Sequence, residues 1–256
     1  MESGGGNNPG AQSSRIESAE DMKLDRDYFT IQVEFAKKLA EVTGQSFFEA
    51  HRTRTNFYRR LGFGKSLGAS HPGWQEFIAG GEEDAAERAY NICMTPVHNF
   101  ETRKKVWFGC FNPEYKPEKK TVFIHFGNKE KTGSPFDNPE KRKQDLKEMF
   151  TYIKATYPDV QFVAGHSWLY NLEQYKNLFP PEYTEDMKVE EGTSVGQSTW
   201  GQFLDRKQKT KPESRDLFLS KLKSTTTEQE VFDTVPLKVL SPQTTIDNFY
   251  RHYGIE

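Results

Sequence analysis

An apolar, strand-like run that ends in a histidine and then an asparagine occurs twice in this chain, with one long amphipathic stretch between the copies. The first is Thr121-Val-Phe-Ile-His125-Phe-Gly-Asn128; the second runs from Val160 through Gly165-His166-Ser167-Trp168 to Tyr170-Asn171. Between them, Leu146, Met149, Phe150, Ile153 and Tyr157 recur at helical spacing behind Asn138-Pro139, an N-cap followed by proline at the first helical position. A strand, helix and strand in this order place the two strands parallel with a right-handed crossover. Ligands of open α/β sheets sit outside the carboxyl ends of parallel strands. The pattern therefore predicts that His125 and His166 emerge at one sheet edge.

The remainder of the chain is predicted from the same periodicities. Tyr28, Ile31, Phe35, Leu39 and Val42 form a helical stripe ended by Gly44. Ser46-Phe-Phe-Glu49 has capping-box spacing for a helix to about Arg60. Pro72 opens another helix, interrupted by Gly80-Gly81. From Lys104 the period changes to two, through Val106, Phe108 and Cys110, with Asn112-Pro113 as a turn before the strand that ends at His125. Pro212 to Leu222 reads as a helix, Leu237 to Leu240 as an edge strand, and Thr244 as the start of a last helix closed by Gly254. The predicted fold is α+β or α/β, a helical N-terminal bundle followed by a mixed sheet with a strand-helix-strand parallel unit. Its divisions are a disordered tail over 1–20, a helical part over 21–100 and a mixed α/β part over 101–256, the last two forming one unit.

Composition narrows the function classes. The tail offers nothing apolar to bury, has no secretory pattern, and the chain has no run of roughly 18 apolar residues, so no membrane role is expected. A net charge of −2 gives no pull toward nucleic acid. The two cysteines, Cys93 and Cys110, fit a reducing cytoplasm. With 20 Phe, 11 Tyr and 4 Trp, ring surfaces are expected to fill the core and line any pocket, whose occupant would be a small molecule.

His166, between Gly165 and Ser167 in a tight strand end, is the candidate proton carrier, and His125 is its neighbour. Asn128 and Asn171 supply amides that both donate and accept, Ser167 a hydroxyl, and Trp168 and Trp200 pocket walls, with the Gln202 amide between two rings. Two histidines need a third metal ligand. Neither motif carries Asp, Glu or Cys nearby, and no His-x-x-Glu-His pattern occurs, so no metal is favoured. A Cys110–His125 nucleophile pair is disfavoured, because pairing Phe111 with Thr121 would set the two on opposite faces. Arg52, Arg54, Arg59, Arg60 and Lys65 form a basic stretch that reads as a solvated face or as a clamp for an anion.

The order of elements over about 104–180, with a short helix bearing Asn171, Tyr175 and Phe179, resembles the GNAT acyltransferase superfamily. The resemblance implies acyl-CoA as co-substrate, its pyrophosphate against the loop containing Lys129, Lys131, Thr132, Gly133 and Ser134, and Tyr170 or Tyr175 as the acid that protonates the departing thiolate. The glycine pattern usual in that family's loop is absent here. The expectation is an enzyme that transfers an acyl group to an amine or hydroxyl with His166 as general base. The alternatives are a non-catalytic protein binding a small ligand in the same cleft, and a metal-dependent hydrolase using His125 and His166.

Overall fold

The computed structural model describes residues 24–61, 70–95, 105–130, 134–189 and 199–256; the expected tail over 1–20 lies outside them. Helix α1 (Arg26–Thr43) begins where the Asp25 carboxylate accepts from Tyr28 N at 3.1 Å, and ends on Gly44 at φ 76°. Helix α2 (Phe47–Arg54) starts at Ser46, whose hydroxyl accepts from Glu49 N at 3.2 Å. The Glu49 carboxylate forks onto Arg52 at 2.8–3.0 Å. The expected run to Arg60 is broken at Thr55, which is extended, donates its hydroxyl to His51 O at 2.6 Å, and is followed by Asn56 N donating to Gln32 Oε1 at 2.7 Å. Side-chain bonds of this kind compete with the helix ladder, and a separate turn, α3 (Phe57–Arg60), follows. Helices α4 (Pro72–Ala79) and α5 (Ala85–Met94) flank Gly80-Gly81 as the periodicity predicts.

These helices share a core with a distant part of the chain. The turn Thr199–Phe203, helix α9 (Pro212–Lys223) and helix α10 (Glu228–Asp233) bring Trp200, Phe203, Phe218, Leu222 and Phe232 into the same cluster as Tyr28, Phe35 and Phe77. Trp200 is fully buried edge-on to Phe35, at 5.3 Å between ring centroids, and donates from Nε1 to Arg54 O at 2.8 Å. Residues 199–235 fold with the helices, because their apolar rings complete the face that α1 leaves open.

The second core belongs to a mixed four-stranded sheet, so the class is α+β. Its order is β1 (Phe111–Lys116), β2 (Thr121–Phe126), β3 (Phe162–Gly165) and β6 (Gln243–Thr245). Only β2 and β3 are parallel. Helix α6 (Pro139–Thr156) joins them, capped by Asn138 Oδ1 accepting from Lys141 N at 2.9 Å, and it buries Leu146, Met149, Phe150 and Ile153 against the sheet with α11 (Ile246–Tyr253). Near its start Arg142, 1% exposed, holds Glu130 at 2.6 Å, Asp145 at 3.0 Å and Cys110 Sγ at 2.7 Å. Short helices α7 (Glu173–Lys176) and α8 (Pro181–Thr184) and the ribbon of β4 (Lys188–Val189) with β5 (Leu240–Ser241) complete the part.

Two sequence expectations shift here. The period-two run before Cys110 does not become a ladder strand. Phe108 and Phe111 instead exchange backbone hydrogen bonds of 2.8 and 2.9 Å around Gly109, at φ 54°. Asn112-Pro113 is not a turn but lies within β1, where the missing proline N–H is tolerated because β1 is an edge strand. The turn falls at Pro117–Lys119, and the register pairs Phe111 with Phe126 rather than with Thr121.

Candidate functional site

Side chains alternate across a strand, so Val122, Ile124 and Val163 face α6 while Phe123 and Ala164 face the other way. Phe123 pairs with Ala164 and Ile124 with Gly165. The parallel register ends at that last pair, and His125 and His166 are the residues that follow it on their two strands. His125 is half-buried and its Nε2 lies 2.8 Å from Glu114 Oε2 across the β1–β2 pair. Glu114 also pairs with Lys116, and the hydrogen bonds from Lys116 first and then from His125 hold its carboxyl below the usual range.

His166 is exposed, and its Nδ1 lies 3.1 Å from Ser241 Oγ. The β5–β6 segment delivers that serine. Leu240 and Ser167 exchange backbone hydrogen bonds of 3.1 Å, and Gly165 N donates to Pro242 O at 3.1 Å. An open depression of about 380 Å³ results, lined by Phe123, Ala164, Gly165, His166, Ser241, Pro242 and Gln243.

The chain matches no family model, no curated protein and no solved structure. The depression is therefore read from its own residues.

Several residues expected at the site lie elsewhere. Tyr170 and Tyr175 are each 1% exposed, and burial pushes both hydroxyls well above the ordinary tyrosine range. Tyr170 Oη bonds Tyr183 Oη at 2.9 Å against the α6-facing side of Gly165, opposite to His166, so neither tyrosine reaches the cleft. Trp200 is core of the helical part. The Gln202 amide staples backbone, donating to Thr199 O and Leu237 O at 3.0 and 3.2 Å and accepting from Leu237 N at 2.9 Å. Ser167 caps the turn Trp168–Asn171 by accepting from Leu169 N at 3.1 Å. Asn171 donates to Trp168 O and Lys238 O at 2.7 and 2.8 Å. Trp168 is half-buried in the sheet core beside Gly201 and does not line the depression.

The described residues of the expected anion loop bond within their own chain. Asn128 Oδ1 accepts from Glu130 N at 3.0 Å, and Lys129 Nζ sits 4.4 Å over the Trp107 ring. Ser134 accepts from Phe136 N at 3.2 Å and donates its own N–H to Asp137 Oδ2 at 2.7 Å. Glu130 takes Lys141 at 3.0 Å as well as Arg142. Lys131, Thr132 and Gly133 lie outside the described residues. In the basic stretch, Arg52 is taken by Glu49, Arg54 lies 5.1 Å over Phe232 and Arg60 lies 5.0 Å over Tyr28, which is the solvated and packed reading of those charges. Lys65 falls outside the described residues.

Cys110 is fully buried and burial pushes its thiol up, which leaves it no nucleophilic role. Among the described residues no group of three His, Cys, Asp or Glu could hold a metal ion. Nor is any described helix long and apolar enough to cross a membrane.

Sequence reasoning missed Ser241, Gln243 and Glu114. Ser241 is 75 residues from His166, and only the pairing of two strand ends makes them neighbours. The available signal was the alternation of Ser241 and Gln243 about Pro242 beside an expected edge strand.

Proposed function

We propose that this protein transfers an acyl group from a thioester or ester donor, acyl-CoA among them, to an amine or hydroxyl acceptor, with His166 as general base. The observation that carries this reading is the position of His166. It stands exposed at the carboxyl end of β3, on an open depression whose floor of Phe123, Ala164 and Pro242 suits a short acyl chain. Imidazole is the side chain best suited to take and return a proton in near-neutral water. The order of elements over about 104–180, which resembles the GNAT superfamily, supports the acyl-transfer class. With the tyrosines in the core, the proton for the leaving group returns from His166 itself. The two free cysteines fit a cytoplasmic setting.

His166→Ala tests the reading. Turnover of acetyl-CoA or p-nitrophenyl acetate should fall by on the order of 100-fold or more, the usual loss when a general base is removed. Equal turnover in the two proteins would remove the role. A ligand that raises the melting temperature without turnover would mark a binding site instead.

A further inference from the structure

We propose that Ser241 is the nucleophile of this site and carries the acyl group as an ester between donor and acceptor. The proposal rests on the reading of His166 as general base and deepens it. Ser241 Oγ lies 3.1 Å from His166 Nδ1, within the reach by which a base activates a hydroxyl. Backbone, not a long side chain, sets that distance. Leu240 on one side of Ser241 is bonded to Ser167, and Pro242 on the other side accepts from Gly165 N, so both neighbours of the serine are pinned to both neighbours of the histidine.

The same segment supplies a donor for the developing oxyanion. Positions 241 and 243 share one side of an extended segment, with buried Pro242 between them. Gln243 pairs with Ala164 and lines the depression with Ser241. Gln243 thus brings an amide N–H₂ donor to the side of the segment that carries the Ser241 hydroxyl, the kind of group that stabilises a tetrahedral intermediate.

In the first step Ser241 Oγ bonds to the acyl carbon and its proton passes to His166 Nδ1. The bond from that carbon to the donor's sulfur or oxygen breaks, and the departing group takes the proton from His166. In the second step the acceptor amine, hydroxyl or water attacks the acyl-serine and gives its proton to His166. Ser241 Oγ then leaves and recovers the proton, so donor plus acceptor become acylated acceptor plus free thiol or alcohol.

The experiment is a rapid-quench incubation of the full chain with p-nitrophenyl acetate, and separately with acetyl-CoA, followed by intact mass and peptide mapping. Expected are one added acetyl group on Ser241 and a burst of the first product, both absent in Ser241→Ala, whose turnover drops at least about 100-fold with an unchanged melting temperature. Turnover that is lost in His166→Ala, kept in Ser241→Ala, and unaccompanied by any adduct would overturn the covalent step while leaving the general base standing. An acetyl group mapped to another residue would overturn it too. A wild-type protein that neither turns over nor acquires the acetyl group, or variants that both retain full turnover, would overturn both readings.

Discussion

His51 is 1% exposed in a box of rings, with the centroids of Phe47, Phe57, Trp74 and Phe77 at 4.7–6.4 Å and Thr55 Oγ1 at 3.3 Å from its Nδ1. Burial disfavours the imidazolium and pushes its pKa down to about 3. The unfolded chain binds a proton there below about 6.5 whereas the folded one does not. Stability attributable to His51 is therefore full above that pH and is lost as pH falls toward 3, by about 1.4 kcal/mol per pH unit. Urea titrations at two pH values check this. Between pH 6.5 and 5 the wild-type protein should lose about 2 kcal/mol more than His51→Leu, which has no ring to protonate. An equal loss in both proteins would place the ring in a wetter environment. His51 also shows why residue chemistry is poorly legible in a sequence. In sequence nothing marks it off from the chain's other histidines, and only ring packing turns it into a neutral core group.

At the scale of elements, β3 is short and is braced from behind. A Cβ built on Gly165 would lie 2.0 Å from Tyr170 Oη and 2.5 Å from Tyr183 Oη, and both rings are buried beyond the reach of a simple rotation. Gly165→Ala should therefore destabilise by about 1–3 kcal/mol, the range for overpacking. Combining it with Tyr170→Phe and Tyr183→Phe removes the two hydroxyls and should return part of the loss in chemical denaturation. No recovery in the triple variant would mean that the strain lies in the backbone. Elements with a strong local signature were legible: the capped, amphipathic α6, the Gly44 stop and the proline-led α4 and α9. Those set by competition between local bonds and tertiary partners were not, as the break at Thr55 and the inclusion of Pro113 in an edge strand show.

For the whole molecule, the chain crosses between its two cores, and Trp200 is the largest fully buried side chain in the helical one. Trp200→Ala should cost about 3–5 kcal/mol, the range for emptying a core of a large aromatic ring. Amide exchange reports where the loss falls. Protection in α1, α9 and α10 should drop before that in β2, β3 and α6, because the two clusters draw on different elements. A uniform drop would show a single cooperative unit.

By itself the sequence determined the strand-helix-strand unit, the parallel pairing of its two strands and the helical character of the first third, since periodicity and capping act over a few residues. Tertiary structure alone decided that residues 199–235 complete the helical core, that Tyr170 and Tyr175 turn inward, and that Ser241 meets His166. Those outcomes depend on which apolar faces cover one another and which strand ends pair, and both are relations between segments far apart in the chain. A tyrosine or a serine carries no local mark of which side of a sheet it will occupy until its partners across the fold are in place.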